Sequence, residues 1–235
     1  MIYIITGTSS GIGKALAQFY LEKGDKVIGI SRTNSITDNN FTHVMCDLSD
    51  KHQLHDIALF DLVSKEDYPV RLINNAGIIG DIKRSHELTL THYVDMAMVN
   101  LVAPQYLCSY VLSTFGFENV DTIVNISSGA AQRPVPSWGS YCATKAGMDI
   151  FAETLNEEIK ELGKSTKVFN VAPGVVDTRM QEAIRGSGAN NFSSHQNFVD
   201  LKENDELRTP EEVAVLLDEF INEEHSEAEG VIFRI

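Results

Sequence analysis

Ile2-Tyr3-Ile4-Ile5-Thr6-Gly7-Thr8-Ser9-Ser10-Gly11-Ile12-Gly13 opens the chain with an apolar run, a glycine-rich turn and the start of an amphipathic stretch. Ile2–Thr6 shows no apolar–polar alternation, as expected of a strand buried on both faces of a parallel sheet. A helix is predicted over Ile12–Lys23, and Gly24 follows where a C-terminal cap belongs. The glycines between are spaced G-x-x-x-G-x-G. Glycine permits the tight turn and lets backbone approach a pyrophosphate. The helix N-terminus then offers unpaired N–H groups and a positive dipole end to that anion. A Walker turn would end in Gly-Lys-Ser/Thr, and this one does not. Three glycines alone also serve a purely structural turn; the strand–turn–helix setting favours a dinucleotide site.

The same alternation runs the length of the chain. Further strands are predicted at Lys26–Ile30, His43–Cys46, Arg71–Asn74, Thr122–Ser127, Lys167–Ala172 and Val231–Ile235. Helices are predicted at Ser49–Val63, Leu90–Phe115, Gly139–Leu162 and Pro210–Asn222. Gly163 follows one helix, and Thr209-Pro210-Glu211-Glu212 has the cap, first-turn proline and early acids of a helix start. This pattern implies one α/β domain over residues 1–235, a Rossmann-like doubly wound parallel sheet of about seven strands with helices on both faces. Arg179–Arg208 breaks it. The segment is polar, holds Gly186-Ser187-Gly188 and Asn190-Asn191, and is expected to be a substrate-covering loop, against a plain surface excursion.

Composition narrows the function. The 235 residues are 43% hydrophobic and carry a formal net charge of −14. So acidic a chain is poorly suited to nucleic acid or an anionic membrane surface, and neither is expected as a partner. No apolar run reaches the ~20 residues of a membrane helix. A strand begins almost at the N-terminus with no basic region or cleavage site before it, so a cytoplasmic setting is expected. Cys46, Cys108 and Cys142 lack metal spacing and read as reduced thiols. His43, His52, His55, His86, His92 and His225 show no zinc pattern, and no metal is expected.

Strand ends carry the ligand signals. The second strand ends at Ile30-Ser31-Arg32. An acid there would suit a ribose 2′-hydroxyl, whereas Ser31 and Arg32 suit a 2′-phosphate, hence NADP(H) in preference to NAD(H). The alternative is a solvated arginine. Asp47, in Cys46-Asp47-Leu48, either accepts from an adenine amino group or caps the next helix. Asn74-Asn75-Ala76-Gly77 either binds ligand or ties strand ends together.

Tyr141 and Lys145 lie four residues apart, one turn of a single helix face. A cation beside a phenol favours the phenolate and lowers a pKa that is otherwise ~10. Ser128 lies upstream, at the end of a predicted strand. A Tyr-x-x-x-Lys pair alone is usually surface decoration; with Ser128 and the glycine turn it becomes a proton donor at a ligand-binding sheet edge. Trp138 is either core or pocket wall. His195 falls in the irregular segment and reads as surface.

Taken together, Thr6–Gly13, Asn74–Gly77, Ser128, Tyr141, Lys145 and Pro173-Gly174 resemble the short-chain dehydrogenase/reductase family over essentially the whole chain. Ser127–Ala131, Trp138–Cys142 and Pro173–Gln181 resemble its sepiapterin reductase and bacterial benzil reductase branch. Ile79–Arg84 and Gln181–Arg185 are nearer to the benzil reductases. The resemblance implies that Tyr141 is a general acid and that Ser128 binds the substrate carbonyl. It also implies that Lys145 binds the nicotinamide ribose and that Asn100 holds a water leading from Lys145. It places NADP(H) along Gly7, Ser9, Ser10, Gly11, Ile12, Gly13, Ser31, Arg32, Asp47, Leu48, Asn74, Ala76, Gly77, Tyr141, Lys145, Pro173, Gly174, Val176 and Thr178. Substrate would meet Ser128, Trp138, Tyr141, Gly174 and Met180. Helices Leu90–Phe115 and Gly139–Leu162 carry the family's subunit contacts, which implies a homodimer or homotetramer. Sepiapterin reductases have an acid near the C-terminus that anchors the pterin; Val231-Ile232-Phe233-Arg234-Ile235 has none, which favours a less polar dicarbonyl.

The function expected is an NADPH-dependent reductase of a small-molecule ketone or α-dicarbonyl. A 3-oxoacyl thioester reductase of fatty-acid synthesis is the second enzyme reading, and the acidic charge counts against docking an acidic carrier. A non-catalytic NADP(H)-sensing regulator is the reading from another class, and the full set of Ser128, Tyr141, Lys145 and Asn100 counts against it.

Overall fold

A computed structural model describes all residues except 65–67, 190–191, 224 and 226–229. The Asn190-Asn191 pair therefore lies outside the described residues. Among those described, seven strands form one sheet: β1 Ile2–Thr6, β2 Lys26–Ser31, β3 Phe41–Met45, β4 Val70–Asn74, β5 Val120–Ile126, β6 Lys167–Ala172 and β7 Ile232–Arg234. Every pairing is parallel, and the order is β3-β2-β1-β4-β5-β6-β7. The order reverses between β1 and β4, so the crevice for a ligand opens at the carboxyl ends of those strands.

The eight α-helices among the described residues are α1 Gly11–Glu22, α2 Lys51–His55, α3 Leu90–Ala97, α4 Ala103–Phe115, α5 Gly139–Glu161, α6 Arg179–Gly186, α7 His195–Glu203 and α8 Pro210–Asn222. Alternate residues of β1 face opposite layers. Ile2 and Ile4 pack with Leu107, Val111, Ala152 and Leu155 of α4 and α5. Tyr3 and Ile5 pack with Leu16, Tyr20, Leu217 and Phe220 of α1 and α8. Period-2 alternation is invisible in the sequence because both faces are apolar. A third cluster, with Ile79, Trp138, Ile184 and Phe192, lies over the carboxyl edge. Among the described residues no helix is long and apolar enough to cross a membrane.

Three predicted elements differ. Ser49–Val63 is not one helix: α2 ends at His55, and a 3-10 turn follows at Phe60–Leu62. Ile57 and Leu59 are both buried at a spacing of two, which a helix cannot present to one core. Leu59 N–H also donates to the Tyr110 hydroxyl at 3.2 Å. Leu90–Phe115 is interrupted by a π turn at Met98–Val102, centred on Asn100. Arg179–Arg208 is not irregular; it folds into α6 and α7. Few apolar residues, among them Ile184, Phe192 and Phe198, do the packing there, too sparse to register as helical periodicity.

Candidate active site

A cavity of about 860 Å³ opens along the carboxyl ends of the strands, within the size range of small-molecule sites. The glycine turn forms one end. Gly7 has φ +78° and Gly11 φ +56°, conformations that favour glycine. A Cβ on Gly7 would lie 2.9 Å from Asn75 Nδ2, and one on Gly11 3.3 Å from Thr178 Cγ2. Ser9, Ser10 and Ile12 also line the cavity. Ser10 precedes α1 without a side-chain cap, and the first turn of α1 holds no acid, so its N–H groups are available to an anion. These features fit a dinucleotide phosphate. Gly13 does not line the cavity; a side chain there would collide with Asn75 and Gly7, so it packs the turn against the end of β4.

Ser31 and Arg32 reach the cavity from β2. Ser31 donates its hydroxyl proton to Thr33 O at 2.9 Å and lies 3.1 Å from His43 Nε2 and 3.3 Å from Thr8 Oγ1. Arg32 is exposed and makes no ion pair among the described residues, so its guanidinium is unengaged. Asp47 and Leu48 line the wall beside it. Asp47 Oδ1 accepts from Ser49 N at 3.0 Å and Ser49 Oγ at 2.8 Å. The cap of α2 is Asp50, so the capping alternative for Asp47 does not hold.

Asn74 is misplaced in the sequence reading. It is buried away from the cavity, and its Nδ2 donates to Asn125 Oδ1 at 2.9 Å. Being the last residue of β4, its side chain points into the α4 layer, so Asn75, Ala76 and Gly77 reach the cavity instead. Asn75 ties β4 to β1 by donating to Thr6 O at 2.9 Å. Pro173, Gly174, Val176 and Thr178 line the opposite wall. Arg208 clamps this loop by donating to Pro173 O at 3.2 Å and Ile235 O at 2.6 Å.

Ser128, Tyr141 and Lys145 are brought together at one end of the cavity. Ser128 ends the β5 connection and accepts from Ala130 N at 3.2 Å, which fixes its rotamer. Its hydroxyl lies near enough to the Tyr141 phenol to influence its ionisation. Lys145 Nζ donates to Ile126 O at 2.6 Å and stands 5.9 Å from the Tyr141 ring centroid. All three line the cavity. Burial pushes the Tyr141 pKa up, with the neighbouring Ser128 hydroxyl opposing it. Burial brings the Lys145 ammonium down to about 8, with the Asp149 carboxylate opposing it. The expected acidification of Tyr141 by Lys145 does not hold: desolvation governs the phenol, and Lys145 is turned toward the Ile126 carbonyl and is itself buried.

Asn100 stands behind the trio and does not line the cavity. Its Oδ1 accepts from Ile78 N and its Nδ2 donates to Ile78 O, both at 2.8 Å. The π turn widens the helix at this point and lets the amide bracket the Ile78 backbone. Gly77 is held close: a Cβ there would be 3.5 Å from Asn100 Oδ1 and 3.8 Å from Lys145 Nζ.

Trp138 resolves as both core and wall. It is buried, lines the cavity, stacks on Phe192 at 5.1 Å and meets Tyr141 edge-on at 5.8 Å. Gly174 and Met180 line the same end, with Ile79, Ile184 and Phe198, which sequence reasoning did not single out. His195 lies off the cavity and bonds Arg185 O through Nε2 at 2.7 Å. Ser127, Gln132 and Asp149 also line the cavity and carry no motif signal of their own in the sequence, while Asn75, which the sequence left between a ligand and a structural role, lines it too. Asp149 is one turn beyond Lys145 on the same face of α5, a spacing that marks it in hindsight. Among the described residues no group of three or more His, Cys, Asp or Glu side chains is arranged to hold a metal.

A family profile described as short chain dehydrogenase matches residues 1–187. A benzil reductase ((S)-benzoin forming) of Bacillus subtilis (strain 168) is 36% identical over 91% of this chain and 90% of its own length. One from Bacillus cereus is 35% identical over 99% of this chain and 98% of its own. Among solved structures, a short chain dehydrogenase/reductase from Saccharomyces cerevisiae superposes with a TM-score of 0.87 at 25% identity, covering 99% of this chain and 95% of that one.

Proposed function

The chain belongs to the short chain dehydrogenase family, and on that footing we propose that it is an NADPH-dependent carbonyl reductase acting on hydrophobic ketones or α-dicarbonyls of the benzil type. The observation that carries the reading is the convergence of Ser128, Tyr141 and Lys145 at one end of the cavity. There they face an apolar wall of Trp138, Val135, Ile79 and Met180. The likeness to two benzil reductases supports the substrate class.

When bound, the reduced nicotinamide dinucleotide supplies the hydride. The chain does the rest. Ser128 and Tyr141 donate hydrogen bonds to the carbonyl oxygen, where negative charge develops. Tyr141 then gives its proton to that oxygen, so carbon gains hydride, oxygen gains the proton and an alcohol leaves. Its raised pKa keeps the phenol protonated at neutral pH, and an alkoxide is a far stronger base than a phenolate, so the transfer remains downhill. Lys145 has further N–H donors beyond the one on Ile126 O, for the ribose hydroxyls and the developing phenolate. Asn100 braces the backbone at Ile78, next to Gly77, which lies close to Lys145. Arg32, unengaged at the end of β2, takes the 2′-phosphate, with Ser31 beside it. Helices α6 and α7 cover the substrate end through Met180, Ile184 and Phe198.

Exposed Leu90, Val94, Val102 and Ile150 on α3, the π turn and α5 support a homodimer or homotetramer formed through those faces. The expected setting is the cytoplasm. NADPH oxidation, followed with benzil, sepiapterin, methylglyoxal and an acetoacetyl thioester side by side, tests the reading. Fastest turnover on benzil is expected. Tight NADPH binding with no turnover on any of the four would reject it in favour of a sensor.

A further inference from the structure

Four charged side chains are buried in this protein: Arg71, Lys145, Asp149 and Asp218 among the described residues. Arg71 pairs with Asp121 at 2.6 Å, and Asp218 with Lys23 at 2.7 Å. Asp149 forms no salt bridge among the described residues. A buried carboxylate without a bonded cation is costly, so its surroundings must favour the charge. Its Oδ1 accepts from Ser127 Oγ at 2.7 Å and Asn170 Nδ2 at 2.9 Å, and its Oδ2 from Gln132 Nε2 at 2.8 Å. The three donors are neutral and come from three elements: the end of β5, β6, and the turn after Ser128.

The donors are themselves aligned. Asn74 Nδ2 donates to Asn125 Oδ1 at 2.9 Å, Asn125 Nδ2 to Asn170 Oδ1 at 2.7 Å, and Asn170 Nδ2 to Asp149. The amides thus run head to tail across β4, β5 and β6 with their donor ends toward the carboxylate, each polarising the next. This device holds one negative charge, fixed in direction, a turn of helix from Lys145.

We propose that Asp149 is the countercharge of Lys145, a positioning residue that keeps the ammonium charged while Tyr141 delivers its proton. The proposal rests on reading the site as a carbonyl reductase. Holding the carboxylate on neutral donors has a consequence that a direct ion pair would not have. Lys145 contributes only one donor to the protein, on Ile126 O, and the charge it needs arrives without occupying the others. The other charged groups around the cavity are Arg32, Asp47, Asp95, Arg133, Arg179 and Arg234, and none of them forms an ion pair with Lys145. The neighbours of Lys145 from its own helix and the ends of β4 and β5 include the Tyr141 ring, Gly77 and the Ile126 carbonyl, and none of these carries a charge at neutral pH. Asp149 alone opposes the desolvation that brings Lys145 to about 8.

The test uses the full chain with Asp149→Asn, Asp149→Glu and Gln132→Lys. Two readouts are taken: the pH profile of kcat/KM for benzil reduction, and the NMR titration of the Lys145 13Cε signal, identified by its loss in Lys145→Met. In Asp149→Asn the alkaline limb and the Lys145 titration should both move down by on the order of one pH unit, with activity recovering as the pH falls. Asp149→Glu should restore both. An activity loss equal at every pH, with the Lys145 titration unmoved, would mean a structural role and overturn the proposal. If Asp149→Asn does not fold, Gln132→Lys at an exposed position neutralises the carboxylate in place. It must move the titration the same way, and no movement overturns the proposal. A parent that reduces no carbonyl would reject the reductase reading, while the Lys145 titration would still decide the role of Asp149.

Discussion

Tyr141 and Lys145 can be found in the sequence by their spacing, but their pKa values cannot. Spacing put a cation beside a phenol; the structure buries both, and desolvation then governs each. Tyr141→Phe keeps the ring against Trp138 and removes only the proton. Turnover should fall by roughly a hundredfold to ten-thousandfold, with NADPH affinity, followed by fluorescence, nearly unchanged. Undiminished turnover would discard Tyr141 as the acid. Arg32→Asp replaces an unengaged guanidinium with a charge that repels phosphate. NADPH should bind roughly tenfold to a hundredfold more weakly, as expected for lost charge-assisted hydrogen bonds, while NADH changes little. Equal affinity of the parent chain for both dinucleotides would remove the phosphate-site assignment. Asn74 shows the limit of motif reading: Asn74 and Asn75 are adjacent and chemically identical, and the pleat sends one into the core and the other toward β1 and the cavity.

Elements with dense apolar patterning, such as β1, β4 and α8, fall close to where their residues predict. The failures share a cause. In Ser49–Val63 the buried apolar residues fall two apart, and in Arg179–Arg208 they are few; in both, what they bury against lies far away in sequence. Phe192 is fully buried between α6 and α7, stacked on Trp138 and 5.5 Å from Phe198. Phe192→Ala should cost about 3–5 kcal/mol and lower the melting temperature by roughly 10 °C for a chain of this size. Because Phe192 supports Trp138 and Phe198, which wall the cavity, KM for an aryl ketone should rise while that for NADPH stays put. A melting temperature within about 2 °C of the parent would show that the covering helices are not held by this cluster. The π turn at Met98–Val102 is the other element-level surprise. No residue pattern announces it, since it exists to let Asn100 reach the backbone of Ile78.

Across the whole molecule the buried titrating groups set an alkaline limit. Burial pushes Cys46 up to about 11, Cys108 and Tyr3 up to about 12, and Tyr20 and Tyr141 upward as well. Each keeps its proton in the folded chain above the pH at which the unfolded chain releases it. Their contribution is complete below about 8.5 for the thiols and about 10 for the phenols, and is lost as pH climbs through the folded values. Lys145 acts oppositely: its depressed value makes burial unfavourable below about 8, and that cost is relieved between there and its ordinary value. Two thiols and three phenols outweigh one ammonium, so melting temperature should decline steadily from pH 8.5 to 11.5. A flat profile by calorimetry would contradict the burial of these groups. Assembly is testable at the same scale. Ile150 is 61% exposed on α5, and Ile150→Asp should shift the sedimentation profile toward monomer; an unchanged profile would place the contact elsewhere.

Residue order alone specified the alternation of strands and helices, the glycine turn and the Ser128–Tyr141–Lys145 set, because each is a short-range pattern of shape or chemistry. It also carried the family resemblance. Folding was needed to gather the amides of three strands behind Asp149, to turn a polar stretch into two helices beside the cavity, and to make burial govern the ionisation of Tyr141. Those outcomes depend on distances between residues remote in the chain and on how much water is excluded around them, and neither quantity is written in any local stretch.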